Sequence, residues 1–498
     1  MDAGHGGALR IAEHHAFERM GKRLVFHVES MRLYEVTPLV LDLLRRLGAE
    51  GDACLAPLAE RHGEAAVGSA LAHLRRTGLL TDAEPRPRPR LRSRRGIRHL
   101  ELMVTHGCNL RCRYCYGAAG PDGRADAPHL YGSRTAGMTF ETAKRGIDLL
   151  FDTAPPRGDL SVVFFGGEPL LALPLIERIV PYIRRRERTS GRKVRLSLST
   201  NGLLLTERTV RFLVANRISC QISIDGPPGI HDGNRRLPGG DGSYAKILPG
   251  VRRLLAARPG KVPARATFAR GGIDLPRVAE HLLGLGFGSV HAEPAIGEPD
   301  ATAVTRADLE PIRRQTEAMA EFLVARVRED RPFDYTNLVR YVRGTRVVRE
   351  RLAHPCGAGR TYFALAQDGA FYPCHRFVGM DEYRMGDVGT GLDPRLTERI
   401  LGLTVDVRPG CRDCWARHLC GGGCWKHAVD RHGTLDRPDE EVACEITRHE
   451  IECAMAVNAA LGVEDRALLA RMHDENAEPQ FRPAERRAHA ADRRHLDA

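Results

Sequence analysis

Apolar and polar positions divide the first hundred residues into a compact unit and an extended linker. Residues 14–29 alternate around Gly21-Lys22 as in a β-hairpin, and Thr37-Pro38 is typical of the first turn of a helix. A hairpin followed by helices predicts a winged-helix-like unit over residues 1–84. Alternating prolines and arginines over residues 85–97 favour an extended, solvated linker.

Six short β-type segments alternate with longer helical patterns after the linker. These segments are HLELMV, LSVVFF, VRLSLS, CQISI, ARATF and SVHAEP. The repetition predicts an α/β fold over residues 98–304, in which parallel strands curve into a full or partial barrel with its site at their carboxyl ends. An open doubly wound sheet is the alternative. We expect a helical bridge over residues 305–351, a loop-rich, metal-organised domain over 352–455, and a helix with a basic tail over 456–498.

The thirteen cysteines are the compositional feature that adds most to this description. The chain has no apolar run long enough to cross a bilayer, and its start lacks the order of a secretory signal. We therefore expect a cytoplasmic protein with no membrane partner. In such a reducing compartment, metal ligation is a more common use for cysteine than a disulfide. The net charge of +12 suits either an acidic partner or a solvated surface without one.

Three cysteines with the spacing C-x3-C-x2-C follow the first predicted barrel strand. Cys108, Cys112 and Cys115 would place three thiolates on one loop, here called the cysteine loop. Sulfur ligands of this kind select an iron–sulfur cluster or zinc. Three ligands on a cluster of four irons would leave one iron open to bind another molecule. A zinc site with a fourth ligand such as His106 is the alternative.

With Tyr114 before its last cysteine, the cysteine loop resembles the signature of radical S-adenosylmethionine (SAM) enzymes. The segment Phe165–Pro169, FGGEP, resembles the one in which those enzymes hold the methionine ammonium of SAM. A carboxylate beside glycines that permit close backbone approach suits that task. The resemblance assigns to SAM binding Tyr114, Gly166, Gly167 and Glu168, then Ser223 and Arg235 at the SAM carboxylate, Ser199 and Asn201 at the ribose, and Ile296 at the adenine.

Seven further cysteines lie in the C-terminal part, where four have the spacing C-x2-C-x5-C-x3-C. Their order resembles the SPASM domain of radical SAM enzymes, which carries two auxiliary [4Fe–4S] clusters, whereas zinc is the alternative for thiols considered alone. The resemblance assigns one cluster to a complete cysteine group of Cys411, Cys414, Cys420 and Cys444, and the other to an incomplete cysteine group of Cys356, Cys374 and Cys424.

The incomplete cysteine group is one ligand short. Its fourth position is either open, or filled by His354 or by a substrate thiolate. Cys54, Cys220 and Cys453 fall outside both patterns, and we expect them to be buried small hydrophobes.

The order of the parts resembles maturases that install thioether cross-links in peptides. Their first unit captures a leader segment by adding it as a strand to a sheet. The substrates of such maturases are Cys-rich ribosomal peptides or the small subunit of quinohemoprotein amine dehydrogenase. The N-terminal segment HAFERMGKRLVFHVESMRLYEVT and the chain length resemble the maturases of the second substrate more closely. The resemblance implies three [4Fe–4S] clusters, SAM, a flavodoxin- or ferredoxin-like electron donor, and a peptide or small-protein substrate with Cys and acidic residues.

The chemistry implied is the attack of a substrate cysteine on the side chain of an Asp or Glu. A radical derived from SAM removes a hydrogen from a methylene of the acidic residue. The sulfur then closes onto that carbon, and an auxiliary cluster accepts the surplus electron. His375, directly after Cys374, is a candidate base. A hydrogen bond from His375 to cluster sulfur is the alternative role.

Two other classes of function are compatible with the sequence. A related maturase could epimerise its substrate, cross-link carbon to carbon, or oxidise it as sulfatase maturases do. A basic chain with a winged-helix-like start could also be an iron–sulfur DNA-binding regulator. A regulator does not need the segment FGGEP that resembles a SAM-binding site, so nucleic acid is not expected as a partner.

Overall fold

The computed structural model describes residues 10–82, 96–117, 137–156, 158–271, 273–297, 302–346 and 351–476. Most of the predicted linker and the basic tail therefore lie outside the described residues. Within those ranges, none of the helices has both the length and the apolar character needed to cross a membrane.

The N-terminal unit is a small antiparallel sheet packed on helices. Its elements are β1 (Arg10–Ile11), β2 (His14–Arg19), β3 (Lys22–His27), β4 (Arg32–Glu35), α1 (Pro38–Glu50), α2 (Leu55–His62), α3 (Glu64–Arg76) and β5 (Leu80–Thr81). The strands β2, β3 and β4 form one sheet in that order, and β1 pairs with β5. Leu43, Leu58 and Leu74 are fully buried in the core between the helices.

The hairpin is confirmed, but its turn lies one residue earlier than predicted. Arg19 pairs with Lys22, so the turn consists of Met20 and Gly21, which have φ angles of 51° and 68°. Two positive φ angles define a turn whose twist matches that of the strands. The helix start is also confirmed, since the Thr37 hydroxyl accepts from the Val40 amide above a proline in the first turn.

The middle of the chain alternates strands and helices, as predicted. Its elements are β6 (His99–Thr105), β7 (Arg111–Cys112), α4 (Phe140–Thr153), β8 (Leu160–Gly166), α5 (Leu173–Ser190), β9 (Val194–Thr200), α6 (Glu207–Ala215), β10 (Ile218–Ser223), α7 (Pro228–Asn234), β11 (Arg235–Arg236), α8 (Tyr244–Ala257), β12 (Pro263–Phe268), α9 (Leu275–Leu285) and β13 (Ser289–Pro294).

The C-terminal part supplies further helices and short strands. Its elements are α10 (Leu309–Arg328), β14 (Asp334–Tyr335), α11 (Thr336–Arg346), β15 (Tyr362–Leu365), β16 (Phe371–Tyr372), β17 (Gly386–Asp387), β18 (Gly391–Leu392), α12 (Pro394–Gly402), α13 (Arg417–Cys420), α14 (Trp425–His432), α15 (Ala443–Ala460) and α16 (Val463–Asn476). The boundary predicted between residues 455 and 456 falls inside α15.

One large sheet joins the middle and C-terminal parts. Its strand order is β14-β13-β12-β10-β9-β8-β6-β15-β16, and all neighbours are parallel except β15 and β16. The strands β6, β8, β9, β10, β12 and β13 follow one another in chain order without the reversal of a doubly wound sheet, and the two outer strands of the sheet do not pair with each other. The predicted α/β fold with a partial barrel is thus confirmed. Along β12, Ala264, Ala266 and Phe268 are buried in the core, so Arg265 and Thr267 point to the opposite face.

The N-terminal unit packs against the loop of the complete cysteine group. The ring of His15 on β2 stacks on Trp415 with centroids 3.9 Å apart, and His15 Nε2 lies 2.8 Å from a carboxylate oxygen of Glu452 on α15. Both terminal N–H groups of Arg417 donate to the Glu13 carboxylate, and the distance from Nη2 to Oε2 is 2.5 Å. Arg417 is 3% exposed and Glu13 is partly exposed, so this ion pair joins the two regions at the edge of the protein interior.

Replacing Glu13 by glutamine should loosen this contact, because it removes the carboxylate that binds both ends of the Arg417 guanidinium and leaves only Asp406, 4.0 Å from Nε, as an ion-pair partner among the described residues. We expect a loss of about 2 kcal/mol of local stability and faster hydrogen exchange across residues 14–27. The matched control is Glu35→Gln, which removes an exposed pair between Lys22 and the opposite edge strand, β4. Exchange in these strands that is unchanged by Glu13→Gln would contradict the contact.

Candidate radical SAM site

The cysteine loop is held at the carboxyl end of β6 by a second short sheet. In this sheet β7 pairs antiparallel with β11, so that Cys112 lies opposite Arg235. The amide of Arg113 donates to the Asn234 carbonyl at 3.0 Å, and that of Cys115 to the Cys112 carbonyl at 3.1 Å. The backbone therefore fixes the three thiols at one end of the barrel, where the sequence predicted them.

Burial raises the pKa of two of the three thiols of the cysteine loop, those of Cys108 and Cys112. Burial raises the pKa of Cys108 to about 11 and that of Cys112 to about 12, and the nearby Cys115 thiol raises both further. Thiolate is the form that binds metal, so a positively charged iron centre is what would deprotonate these groups.

Two glycines let the end of β8 touch the cysteine loop. Gly166 has a φ of 138°, and a Cβ on it would lie 1.8 Å from the carbonyl oxygen of Thr105. A Cβ on Gly167 would lie 2.2 Å from the carbonyl oxygen of Gly107. The close approach allows two backbone hydrogen bonds. The Gly167 amide donates to the Thr105 carbonyl at 3.0 Å, and the Glu168 amide donates to the Gly107 carbonyl at 2.9 Å. The glycines are required here by close backbone approach.

Glu168 presents a buried carboxylate next to the cysteine loop. It accepts hydrogen bonds from the Thr200 hydroxyl at 2.7 Å and from the amides of Asn201 and Leu170 at 2.8 and 3.1 Å. Burial nevertheless raises its pKa to about 7. Among the described residues, no cationic side chain forms an ion pair with it. A buried carboxylate without a cation has the chemistry to receive an ammonium group.

Arg235 and Tyr114 meet at a carboxylate that received no role in the sequence analysis. Asp225, fully buried, accepts from Arg235 Nε at 2.9 Å, from the Tyr114 hydroxyl at 2.5 Å and from the Thr267 amide at 2.9 Å. The Arg235 guanidinium also lies over the Tyr114 ring. Tyr114 thus anchors the cysteine loop to the barrel, and the Nε–H group of Arg235 is hydrogen-bonded to Asp225.

The remaining predicted SAM contacts lie at the ends of neighbouring strands. Ser199 on β9 and Ser223 on β10 are half-buried on adjacent strands. The side-chain amide of Asn201 donates to Asn109 at 2.7 Å and lies 3.9 Å from Cys108 Sγ, which ties it to the cysteine loop. Ile296 packs against the barrel core, and its carbonyl accepts from Arg376 at 3.1 Å. No described contact tests their roles toward SAM, so those roles stay predictions.

The complete cysteine group lines one cavity. Its four cysteines surround a space of about 320 Å³, opening included, together with Arg417 and Arg448. Gly421, Gly422 and Gly423 all have positive φ, and the amides of the last two point at the Cys420 sulfur. Burial raises the pKa of Cys411 to about 11, and neighbouring thiols of the group raise it further. A glycine turn and convergent sulfurs fit an iron–sulfur cluster.

The incomplete cysteine group gathers around the start of β15. Burial raises the pKa of Cys356 to about 11 and that of Cys374 well above its usual value, and in both cases the nearby Cys424 thiol adds to the shift. His354 is buried and its Nε2 lies 3.0 Å from the Ile400 carbonyl, with a pKa lowered by burial to about 4. These contacts leave the fourth ligand of the group undecided.

His375 is held by a carboxylate that the sequence analysis missed. Its Nδ1 lies 2.9 Å from the buried carboxylate of Glu101 on β6, which also accepts from the Tyr362 hydroxyl at 2.5 Å. The imidazole stacks on Phe165 with centroids 4.4 Å apart. A single acidic residue inside the apolar strand HLELMV was the available signal, because such a group is rarely buried without a partner.

Tyr116 connects the cysteine loop to the incomplete cysteine group. Its ring centroid is 5.9 Å from that of His375, and the Arg376 guanidinium lies 5.3 Å from it. Nη1 of Arg376 is in turn 3.8 Å from Cys424 Sγ. The sequence analysis did not single out Tyr116 or Arg376, although each is adjacent to a predicted site residue.

Comparison with known proteins identifies the domain that contains the cysteine loop. Residues 102–268 match the model of the Radical SAM superfamily. These residues form a radical SAM domain. That family implies a [4Fe–4S] cluster and SAM. The sulfur donors of the cysteine loop fit the cluster, and Glu168, which forms no ion pair among the described residues, fits the ammonium group of SAM.

Two of the proteins to which the chain is similar are enzymes with named activities. The chain is 26% identical over 358 residues to a cysteine-type anaerobic sulfatase-maturating enzyme of Clostridium perfringens, covering 65% of this chain and 88% of that protein. It is 24% identical over 369 residues to the PqqA peptide cyclase of Granulibacter bethesdensis, covering 71% and 89%. A solved structure of anSMEcpe with bound AdoMet matches with a TM-score of 0.63 at 18% identity, over 76% of this chain and 99% of that chain, which supports the fold.

Adding one methyl group at Gly167 should displace the cysteine loop of the radical SAM domain. Gly167→Ala forces a Cβ against the Gly107 carbonyl, so we expect a destabilisation of about 1–3 kcal/mol and less iron bound by the loop after reconstitution. Gly229→Ala is the control, because a Cβ there meets nothing within 4 Å. Equal iron content and equal thermal midpoints in the two variants would contradict this prediction.

Proposed function

We propose that the chain is a radical SAM maturase that forms Cys-to-Asp/Glu thioether cross-links in a peptide or small protein, such as the small subunit of quinohemoprotein amine dehydrogenase. The observation that carries the proposal is the meeting of two cysteine groups at Tyr116. Tyr116 follows Cys115 and contacts His375 and Arg376, which follow Cys374. A substrate between the groups would lie within reach of both.

The residues of the cysteine loop would hold a [4Fe–4S] cluster, and Glu168 would hold the ammonium of SAM. Together the cluster and SAM supply a carbon-centred radical that can remove hydrogen from an unactivated methylene. Glu168 suits this task because its three hydrogen bonds fix the carboxylate while leaving its charge without an ion pair. Asp225 positions Arg235 on the opposite side of the loop.

The two C-terminal cysteine groups would hold auxiliary [4Fe–4S] clusters, which gives three clusters in the chain. The complete group supplies four thiols, whereas the incomplete group supplies three. A substrate thiolate suits the remaining position of the incomplete group, because it would place the reacting sulfur beside Tyr116. His354 is the competing ligand, since its Nε2 is committed to a backbone carbonyl while its Nδ1 is buried without a hydrogen-bond partner in the described residues.

His375 is the proposed base of the reaction. The Glu101 carboxylate at Nδ1 fixes the plane of the ring and favours a proton on that nitrogen. Nε2 then carries the lone pair and can accept the proton that leaves the substrate. Stacking on Phe165 holds the ring at the barrel interior, next to the glycines that precede Glu168.

A peptide substrate is supported by the relatives and by the charge of the chain. One relative is named for maturation of sulfatases and another for cyclisation of a peptide. The net charge of +12 suits a substrate with acidic residues. We propose that the sheet of β2, β3 and β4 captures part of this substrate as an added strand, and that a flavodoxin- or ferredoxin-like protein in the cytoplasm supplies electrons.

The relatives also favour a second candidate outcome. Their names point to cysteine-type maturation of a sulfatase and to cyclisation of a peptide. The incomplete cysteine group and the proposed acidic substrate favour the thioether, so the mass and thiol content of the product decide between the outcomes.

Cys108→Ala should abolish cleavage of SAM, because the open iron that binds SAM depends on the three thiols of the cysteine loop. The measurement is 5′-deoxyadenosine formed in the presence of a reductant. Cys220→Ala, which removes a buried thiol from β10 of the same domain, should retain it. A Cys108→Ala variant that forms 5′-deoxyadenosine at the wild-type rate would show that the cofactor assignment is wrong.

Mass spectrometry of a candidate substrate separates the outcomes. A thioether removes two hydrogens from the peptide and leaves the linked cysteine unable to react with iodoacetamide. A carbon–carbon cross-link removes two hydrogens but leaves that cysteine reactive, and epimerisation changes no mass. A loss of two hydrogens with a reactive cysteine would therefore contradict the proposed thioether.

A further inference from the structure

Arg408 lies in the protein interior beside the complete cysteine group. It is 1% exposed, and its carbonyl accepts from the Cys411 amide at 3.0 Å. A Cβ added to Gly422 would lie 3.1 Å from Nη1 of Arg408 and 3.7 Å from Sγ of Cys411. The guanidinium and the sulfur therefore border the same glycine.

The guanidinium of Arg408 has few partners for a buried cation. Nη1 donates to the Gly422 carbonyl at 2.5 Å, and the group lies 4.4 Å from the centre of the Trp425 ring. Nε and Nη2 are buried and have no hydrogen-bond acceptor in the described part of the chain. Two N–H donors thus lack partners beside a group of sulfur ligands.

The two arginines that line the cavity of this group have carboxylate partners. Arg417 is paired with Glu13 and Arg448 with Glu445. Across the ranges that the structure describes, no carboxylate lies within ion-pair distance of Arg408. Burial of a cation without a counter-charge is costly. The groups whose negative charge would act most strongly on Arg408 are the thiols of Cys411, Cys444 and Cys420, ahead of the carboxylate of Asp436.

We propose that Arg408 is the buried counter-ion of the auxiliary cluster on the complete cysteine group and that its charge makes this cluster easier to reduce. The inference rests on the proposed cluster at that site. A [4Fe–4S] cluster with four thiolates is anionic, and one added electron makes it more so, which a fixed cation stabilises. The unpartnered N–H groups can also donate to cluster sulfur, which acts in the same direction.

A role limited to packing is the competing explanation, because Arg408 also covers Trp425. Arg408→Met keeps most of the side-chain volume and removes the charge, whereas Arg408→Lys keeps the charge and changes the shape. Arg412→Gln is the control, since this exposed arginine of the same turn pairs with Asp413.

The test is a redox titration of the reconstituted full-length chain, followed by electron paramagnetic resonance, with iron and sulfide determined for each variant. The signal of the cluster is the one that Cys414→Ala removes and Cys374→Ala retains. In Arg408→Met we expect the ratio of reduced to oxidised cluster at a fixed potential to fall about tenfold, a shift of about 59 mV to lower potential. Arg408→Lys should recover most of this shift, and Arg412→Gln should match the wild type.

Each result decides the proposal. An Arg408→Met variant with full iron content and an unchanged midpoint overturns it. If Arg408→Met loses the cluster, retention in Arg408→Lys supports a requirement for charge, and equal loss in Arg408→Lys overturns it. If Cys414→Ala removes no signal from the wild type, the proposed cluster itself is wrong, which is a different failure from an unaltered midpoint.

Discussion

The parallel pairing of β15 with β6 determines how the two halves of the site meet. Tyr362 to Leu365 pair with His99 to Leu102, so a strand that lies between Cys356 and Cys374 extends the sheet whose β6 leads into the cysteine loop. Glu101 strengthens the junction by binding both Tyr362 and His375. Without this pairing, the segment between Cys356 and Cys374 would lose its place in the sheet beside β6. The proposed substrate space at Tyr116 depends on it.

Several carboxylates hold segments of the site. Asp225 fixes Arg235 and Tyr114, Glu101 fixes His375, and Glu13 fixes Arg417 across to the N-terminal unit. Except for Asp225 and Arg235, which are ten residues apart, these pairs link segments that are distant in sequence, which makes the pairing specific as well as favourable. Glu168 and Arg408 differ, because neither forms an ion pair among the described residues. Both adjoin cysteine groups, where an ammonium and an anionic cluster would supply the missing charges.

The elements that depend on local signals could be predicted from the sequence, and those that depend on distant partners could not. Alternating strands and helices, the Thr37 cap and the burial of Cys54, Cys220 and Cys453 all follow from residue type and spacing. The short strands β14 and β15 give no periodic signal, because they exist only through pairing with the barrel. The roles of Asp225 and Glu101 depend on neighbours from other strands, and the stacking of His15 on Trp415 joins opposite ends of the chain.

The central claim is that the ten assigned cysteines form three separate iron sites. Iron analysis of the reconstituted chain tests it most directly, with alanine replacing the cysteines of one group at a time. Three [4Fe–4S] clusters predict about twelve irons in the wild type and a loss of about four for each group replaced, with the other two groups still loaded. If replacement of one group removed the iron of another, or if zinc in place of iron filled the C-terminal groups, the account would be contradicted.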